Sequence, residues 1–381
     1  MTGKINVSHI KCADGALVGI LELDNPTALN ALTFNMIEQL HKQLLQWQQD
    51  ESIVAVFLHA NGEKAFCAGG YIQAIYRALE NKEQEPQAAQ QAMATFFTLE
   101  YQCDYLIHTY SKPIIAWGHG YLMGGGVGLY MGASHRVAAN NTRFAMPESK
   151  IGLYPDVGAT YFLNQLPQHQ ALFLGLTAAQ INAIDMKNLG LCQWIVEPQA
   201  KEIVLAMLAS THWNTSTDIH HTIASILESV ECPLQGVGLI TPLSEAIQTF
   251  CFDEHLVTAS LAQIVQRINH AQIDDEWFKN AQRALKYGSP LSQHICYQQL
   301  TQNRGLSLEA CFSLEFGLTL RCGLEGDFRE GVRALVIDKS HEPSWLYPDV
   351  SSVPAQLLEY FFSSVNTTCH PQYELKPEST I

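Results

Sequence analysis

The sequence predicts an α/β fold extended by a helical region, and three observations carry that expectation. Short apolar, strand-like runs alternate with helical stretches through the first half of the chain. Glycine-rich loops follow two of those runs, at Gly69-Gly70 and at Gly124-Gly125-Gly126. Beyond about residue 201 the strong β-branched runs stop and a mainly helical pattern continues to about residue 335. Residues 1–200 are read as the core that carries the chemistry, 201–350 as a helical region, and 351–381 as a partly disordered tail.

Taken in order, residues 18–23 form an apolar strand that Asn25-Pro26 breaks. Thr33 then stands as an N-cap for a helix through Trp47, with Met36, Ile37, Leu40 and Leu44 on one face. Residues 53–58 make a short apolar strand, and the loop holding Phe66-Cys67-Ala68-Gly69-Gly70 follows it. Helices are expected over 71–78 and 86–109, joined by a charged, Gln-rich link. Residues 114–117 form a buried strand leading into the second glycine cluster and a helix over about 126–134.

Residues 113–134 could pass for a membrane span by length and polarity. Seven glycines in that stretch argue instead for tight turns and close backbone approach, because glycine weakens any helix. No membrane partner is expected. A formal charge of −15 with no basic run excludes a nucleic-acid-binding surface, so any anionic ligand must be held locally. Ten cysteines at irregular spacings without a Cys-x-x-Cys fit a reducing compartment. With neither an apolar h-region nor a basic amphipathic presequence at the start, the expected location is cytoplasmic.

The two glycine loops can converge so that each contributes a backbone N–H to a shared cleft, an arrangement that stabilises a developing oxyanion. Either loop alone reads more readily as a simple turn. Neither carries a P-loop ending or a dinucleotide fingerprint. Farther on, Glu148 and Asp156 stand eight residues apart in an apolar segment punctuated by glycine and proline. Such a setting raises a carboxyl pKa by desolvation and suits it to acid/base work near neutral pH, although a surface Glu and a turn-forming Asp fit the bare pattern as well.

The motifs Ala28-Leu29-Asn30-Ala31-Leu32, Lys64-Ala65-Phe66-Cys67-Ala68-Gly69-Gly70, and His119-Gly120 with Met123-Gly124-Gly125-Gly126 resemble, in order and spacing, the signatures of the crotonase (enoyl-CoA hydratase/isomerase) superfamily. That resemblance implies a ClpP-like spiral of ββα units binding an acyl-CoA, with the thioester oxygen held by Gly70 N–H and Gly125 N–H. Hydratases of the superfamily use two glutamates. Glu148 matches the second, whereas Gly128 stands at the first, which puts hydration in doubt. Asp156 within Gly152-Leu153-Tyr154-Pro155-Asp156-Val157-Gly158, together with Ala145-Met146-Pro147-Glu148 and Phe96-Phe97-x-x-Glu100-Tyr101, resembles the hydrolase branch typified by 3-hydroxyisobutyryl-CoA hydrolase. So does the C-terminal run Ser289-Pro290-x-Ser292, Glu315-x-x-Leu318, Asp327-Phe328-x-Glu330-Gly331-Val332-Arg333-Ala334 and Pro343-x-Trp345.

The resemblance implies hydrolysis of a short hydroxyacyl-CoA, with the valine-derived 3-hydroxyisobutyryl thioester as its type. An enoyl-CoA isomerase or hydratase is the alternative. Glu148 would act as general base or as nucleophile, Asp156 would orient the substrate hydroxyl or water, and Glu100 would contact substrate. No metal and no cofactor beyond the CoA of the substrate is implied, and a homo-oligomer is compatible with the superfamily. Tyr71 replaces the Asp usual after Cys-Ala-Gly-Gly, which removes a natural N-cap, and Thr27 replaces a common Lys or Arg. Cys67 and His119 are read as packed side chains, and His220-His221 as surface residues.

Overall fold

The computed structural model describes residues 3–215, 218–233, 235–253 and 255–363. The last dozen residues of the tail, expected to be poorly ordered, lie outside them. Among the described residues ten strands form two sheets. The larger has the order β1 (Lys4–Lys11), β2 (Leu17–Asp24), β3 (Ile53–Ala60), β5 (Ile114–Gly118), β7 (His135–Ala139), β10 (Trp194–Val196), parallel except for the β1–β2 hairpin. The smaller has the order β4 (Ala65–Cys67), β6 (Tyr121–Met123), β8 (Arg143–Ala145), β9 (Ile181–Asn182), with only β9 antiparallel.

The chain alternates between the sheets. β3 in the larger is followed by β4 in the smaller, β5 by β6 and β7 by β8, with helices between successive pairs. Each turn of this spiral deposits one long buried strand and one three-residue strand. The expected ββα spiral is therefore what the backbone forms. The three-residue strands escape a reading by periodicity because they are too short to show alternation. β1 is missed for another reason: it is an edge strand whose mostly exposed side chains blur the apolar pattern.

Four helices frame the site. In α1 (Phe34–Gln49) the Thr33 hydroxyl accepts the Met36 N–H at 3.2 Å, the cap expected from sequence, and Met36, Ile37, Leu40, Leu44 and Trp47 are buried. α2 (Gln73–Glu80) starts two residues later than expected, and its N-cap is Ile72, which has no side chain able to cap, so position 71 lies one residue before the cap. α3 (Pro86–His108) matches its expected span within one residue. α4 (Gly125–Met131) is shorter than expected, and a Cβ built on its C-cap, Gly132, would stand 2.9 Å from His108 N, so the chain there passes close against α3.

Both faces of the larger sheet are covered. Side chains alternate along β3, so Val56 and Leu58 join the main core with α1, while Ala55 and Phe57 join a second cluster with Val18, Ile115, Trp117 and Trp194. Helices Ala200–Ser210 and Ile219–Ser229 close that second cluster. Burying large apolar areas on both faces makes strands read as continuous apolar runs rather than alternating ones. Among the described residues no helix is long and apolar enough to cross a membrane, and the suspect stretch 113–134 is β5, β6 and α4.

Candidate active site

Three neighbouring parallel strands of the smaller sheet build the site. β4 pairs with β6 and β6 with β8, so the carboxyl ends of all three point the same way. Directly after β4 come Ala68, Gly69 and Gly70; after β6 come Gly124 and Gly125; after β8 come Met146, Pro147 and Glu148. Sheet topology alone thus brings together segments separated by up to eighty residues, at the end of parallel strands where ligands characteristically bind. Parallel β4 and β6 are why the two glycine loops meet. A Cβ built on Gly125 would lie 3.5 Å from Gly70 N.

The Ala28-Leu29-Asn30 motif explains how the first loop is held. Leu29 and Asn30 take left-handed backbone conformations. The Asn30 carboxamide then accepts the Asn25 N–H at 2.9 Å and donates to the carbonyls of Asn61 and Ala65, both at 2.9 Å. Ala68 N–H donates to Leu29 O, Leu32 N–H to Gly69 O, and Tyr71 N–H to Leu32 O. These bonds use the flanking amides of the loop, and among the described residues no acceptor takes the N–H of Gly70 or Gly125.

Gly70, Gly125, Glu100, Glu148 and Asp156 all line one cavity of about 340 Å³. Gly124 and Gly125 leave the space that two carboxyls occupy. A Cβ on Gly125 would stand 2.5 Å from Glu100 Oε1, and one on Gly124, at φ +52°, would stand 3.1 Å from Glu148 Oε1. The two carboxyl groups therefore flank the turn that presents the Gly125 amide. Tyr71 also lines the cavity, its hydroxyl donating to Gln73 Oε1 at 3.0 Å.

The electrostatics are those of carboxyls confined together. Glu100, Glu148 and Asp156 are 3, 4 and 3% exposed. Burial, and then the Asp156 carboxylate, push Glu148 well above the ordinary carboxyl range, and Glu100 is raised by the same two causes. Asp156 is raised by burial only to about 7, because the Tyr101 hydroxyl donates to its Oδ2 at 2.6 Å and favours the anion. Asp156 is the member that ionises near neutrality. Glu100 Oε1 and Glu148 Oε2 have no partner among the described residues, which leaves both free to meet a ligand.

Asp156 is positioned from the C-terminal helix Leu308–Leu324. Tyr101 OH shares a hydrogen bond with Thr319 Oγ1 at 2.8 Å, and Tyr154 OH donates to Glu315 O. The Glu315 carboxylate accepts Gly158 N–H at 2.7 Å and Thr160 N–H at 2.8 Å, immediately after Asp156. The turn carrying Glu148 is held from the same side: Ser289 N–H donates to Ser149 O, and Gly331 packs onto the Ile151 backbone. Tyr101 and Glu315 fall within the motifs quoted from sequence, but their role as supports is visible only in the fold.

Asp104 escapes a sequence reading. It is fully buried, one helical turn beyond Glu100, and neither carboxyl oxygen has a partner among the described residues. Its Oδ2 sits 2.5 Å from where a Cβ on Gly128 would begin. The available signal was spacing: Glu100, Asp104 and His108 recur every four residues on α3, opposite Gly125 and Gly128 of α4 and Gly132 just after it.

The remaining candidates behave as packed or surface groups. Cys67 is buried, with its thiol pushed up to about 12 by desolvation, which makes it a poor nucleophile. His119 Nε2 is bonded to Gly62 O at 2.8 Å. His220 and His221 are exposed, though the His220 ring also stacks on His135 at 5.3 Å. No cluster of side chains suited to a metal occurs among the described residues.

Comparison with known proteins supplies the context for this geometry. A family model described as enoyl-CoA hydratase/isomerase matches residues 18–362. The chain is 35% identical over 350 residues to a zebrafish protein named 3-hydroxyisobutyryl-CoA hydrolase, mitochondrial, covering 91% of this chain and 87% of that one. Its human counterpart is 33% identical, over 92% and 87%, and Arabidopsis thaliana 3-hydroxyisobutyryl-CoA hydrolase 1 is 30% identical, over 94% and 92%. Among solved structures, an enoyl-CoA hydratase from Rhodobacter sphaeroides superposes with a TM-score of 0.79 at 27% identity over 97% and 98%. A carnitinyl-CoA dehydratase from Mycobacterium thermoresistibile gives 0.80 at 25% over 98% and 99%.

Proposed function

We propose, from the premise that this chain belongs to the enoyl-CoA hydratase/isomerase family and has its crotonase fold, that it hydrolyses a short hydroxyacyl-CoA thioester, 3-hydroxyisobutyryl-CoA in the first instance. The observation that carries this reading is the cavity itself. Gly70 and Gly125, whose N–H groups have no acceptor among the described residues, line the same cavity as Glu148 and Asp156, and no carboxylate arises from Gly128.

In this reading the thioester oxygen accepts Gly70 N–H and Gly125 N–H, which stabilise the negative charge that develops when the carbonyl carbon becomes tetrahedral. Glu148 supplies the chemistry by one of two routes. As a general base it takes a proton from water while the new C–O bond forms, then returns that proton to the thiolate as the C–S bond breaks. As a nucleophile it forms a mixed anhydride with release of thiolate, and water then cleaves the anhydride. Asp156, the readiest of the three to ionise, accepts the hydrogen bond of the substrate hydroxyl or of the water, and Glu100 borders the acyl group beside Gly125.

The test is thiol release from 3-hydroxyisobutyryl-CoA, with crotonyl-CoA and isobutyryl-CoA in parallel, for wild type and Glu148→Gln. Fast release from the hydroxyacyl ester that falls at least about 10²-fold in the variant is expected. No release from any thioester overturns the reading. The hydratase alternative has one observation in its favour, since the Asp104 carboxyl occupies the space next to Gly128; loss of crotonyl-CoA absorbance without thiol release would select it. A place in valine breakdown follows from the substrate. Our cytoplasmic assignment rests on composition, and the vertebrate relatives are named mitochondrial, so cell fractionation decides the compartment.

A further inference from the structure

Hydrolysis of a thioester near neutral pH leaves a proton over. The C–O bond forms and the C–S bond breaks, the thiolate takes one proton of the attacking water, and the other is shed when the new carboxylic acid ionises. That proton arises in a cavity lined by Glu100, Glu148 and Asp156, with no imidazole or amine among the described residues of its wall.

One face of α3 offers a way out. Glu100, Asp104 and His108 follow one another at intervals of four residues, about 6 Å of helix each. Glu100 lines the reacting cavity and Asp104 is fully buried behind it. His108 lines a different cavity, of about 300 Å³, with Tyr110, Lys112, Ser134 and Arg136; the two cavities share no lining residue. Glu100 Oε1, both carboxyl oxygens of Asp104 and His108 Nε2 are shielded from solvent and have no partner among the described residues. Buried polar atoms are as a rule hydrogen-bonded to protein or to ordered water, so a row of four calls for bridging waters.

The row faces glycine along its length. A Cβ would stand 2.5 Å from Glu100 Oε1 if built on Gly125, 2.5 Å from Asp104 Oδ2 if built on Gly128, and 3.0 Å from His108 Cδ2 if built on Gly132. Any side chain at these positions would displace the group opposite, so the glycines leave the strip between α3 and α4 to three titratable side chains. The rings of Tyr161 and Phe312 stand edge-on to His108 and fix its plane.

The resting charges suit proton passage. Burial raises Glu100 and Asp104 well above the ordinary carboxyl range, with Asp156 adding to the first and Glu100, Asp156 and Glu315 to the second, so both rest as neutral acids. Burial, and then Arg136, hold His108 down to about 4, so the ring rests as a neutral base. That value lies close to the ordinary range of a carboxylic acid, which makes transfer from product to ring nearly level. Arg136 bonds the carbonyls of Leu191, Ala133 and Gly190 and no acid among the described residues, so its charge favours the onward release of the proton. The Cys67 and Cys103 thiols, also near the row, are pushed up by burial and stay protonated.

We propose that Glu100, Asp104 and His108, bridged by waters, form a relay that carries the proton released on hydrolysis out of the reacting cavity and into the second one. A proton arriving on one oxygen of Glu100 releases the proton Glu100 already holds, and Asp104 repeats the exchange. His108 takes the proton at Nε2 and gives one up from its other ring nitrogen, so every group returns to its starting charge. The proposal rests on the hydrolase reading for the source of the proton, whereas the path is set by the fold.

Two measurements separate the relay from that reading. In the first, thiol release and proton release are followed in parallel single turnovers of 3-hydroxyisobutyryl-CoA, with a thiol reagent and a pH indicator. The two should coincide in wild type. In Asp104→Asn, which keeps the shape of the side chain and cannot pass an acid proton, the proton should trail the thiol and kcat in dilute buffer should fall about tenfold. His108→Ala should show the same loss, restored by added imidazole and not by pyrazole, which has the same shape but is a far weaker base; a packing role would not follow base strength. Coincident release with unchanged kcat in both variants overturns the relay and leaves the hydrolase standing. The second measurement needs no turnover: the infrared band of the protonated Asp104 carboxyl, identified by its loss in Asp104→Asn, is timed as it shifts after mixing with D2O. Glu100→Gln closes the path from the reacting cavity, and adding His108→Phe to it should slow the shift at least about tenfold. That slowing upholds the path even where no thioester is cleaved, and an unchanged rate or a missing band overturns it.

Discussion

Asp156 and Tyr101 show how one hydroxyl sets the working range of a buried acid. Burial alone pushes an aspartate up, and the 2.6 Å bond from Tyr101 OH pulls it back to about 7. In the role proposed for it Asp156 acts as the anion, so activity should rise with pH through that value. Tyr101→Phe removes a donor to a charged group, a bond worth about 1.5–3 kcal/mol, and should move the acid limb of the kcat profile up by about one pH unit or more. A profile that stays in place would show that Asp156 does not act as the anion. The stability linkage has a definite sign. Because the folded pKa lies above the ordinary 3.8, the contribution of Asp156 to stability is fully present below that value and is lost as pH rises through about 7. The site is thus bought at the expense of stability near neutral pH, a pattern usual for buried catalytic acids.

At the level of elements, the helix Leu308–Leu324 and the loop 152–158 form one mechanical unit. Glu315 reaches across to accept Gly158 N–H and Thr160 N–H at the start of the short helix Ala159–Phe162, and that keeps Asp156 aimed at the cavity. Burial pushes the Glu315 carboxyl up to about 8 against those two donors. Glu315→Gln retains one acceptor and turns an amide donor toward an N–H, so it should destabilise the protein by about 1–3 kcal/mol and lower kcat more than it raises KM. Thermal denaturation and steady-state kinetics read the two effects. Since the wild-type contribution is lost as pH rises from the ordinary carboxyl range through about 8, the gap in melting temperature between wild type and variant should narrow across that span and level off above it. A variant with native stability and kinetics would show that the Glu315 bonds position nothing. Helix α2 gives the opposite lesson, since its N-cap, Ile72, leaves the start without a side-chain cap, and Tyr71 just before it lines the cavity.

For the whole molecule, the helical C-terminal half completes a structure that the spiral cannot close alone. Helices Pro290–Thr301 and Leu308–Leu324 bury Leu291, Ile295, Phe312, Phe316 and Leu318 in the same core as α1 and α3. Their removal would expose that surface at roughly 25 cal/mol per Å² of apolar area. We therefore expect residues 1–200 expressed alone to lack a cooperative thermal transition by near-UV circular dichroism, whereas the full chain shows one; a sharp transition in the fragment would show that the spiral folds independently. Much of this architecture was legible beforehand. α1 and its cap, α3, β2, β3 and β5 follow from periodicity and punctuation, and Gly70, Gly125, Glu100, Glu148 and Asp156, each within a motif of the sequence, line one cavity.

What the sequence by itself determined is local and chemical: which stretches are strand or helix, where glycine must replace a side chain, and which carboxyls are available. Those properties depend on neighbours a few residues away, so they are written in spacing. Only the tertiary structure decided that β4, β6 and β8 run side by side, that Tyr101 and Glu315 tune and hold Asp156, and that Asp104 lies beside Gly128. Desolvation and hydrogen bonding across 55 to 157 residues of chain set these outcomes, and both arise from three-dimensional packing that no local pattern encodes.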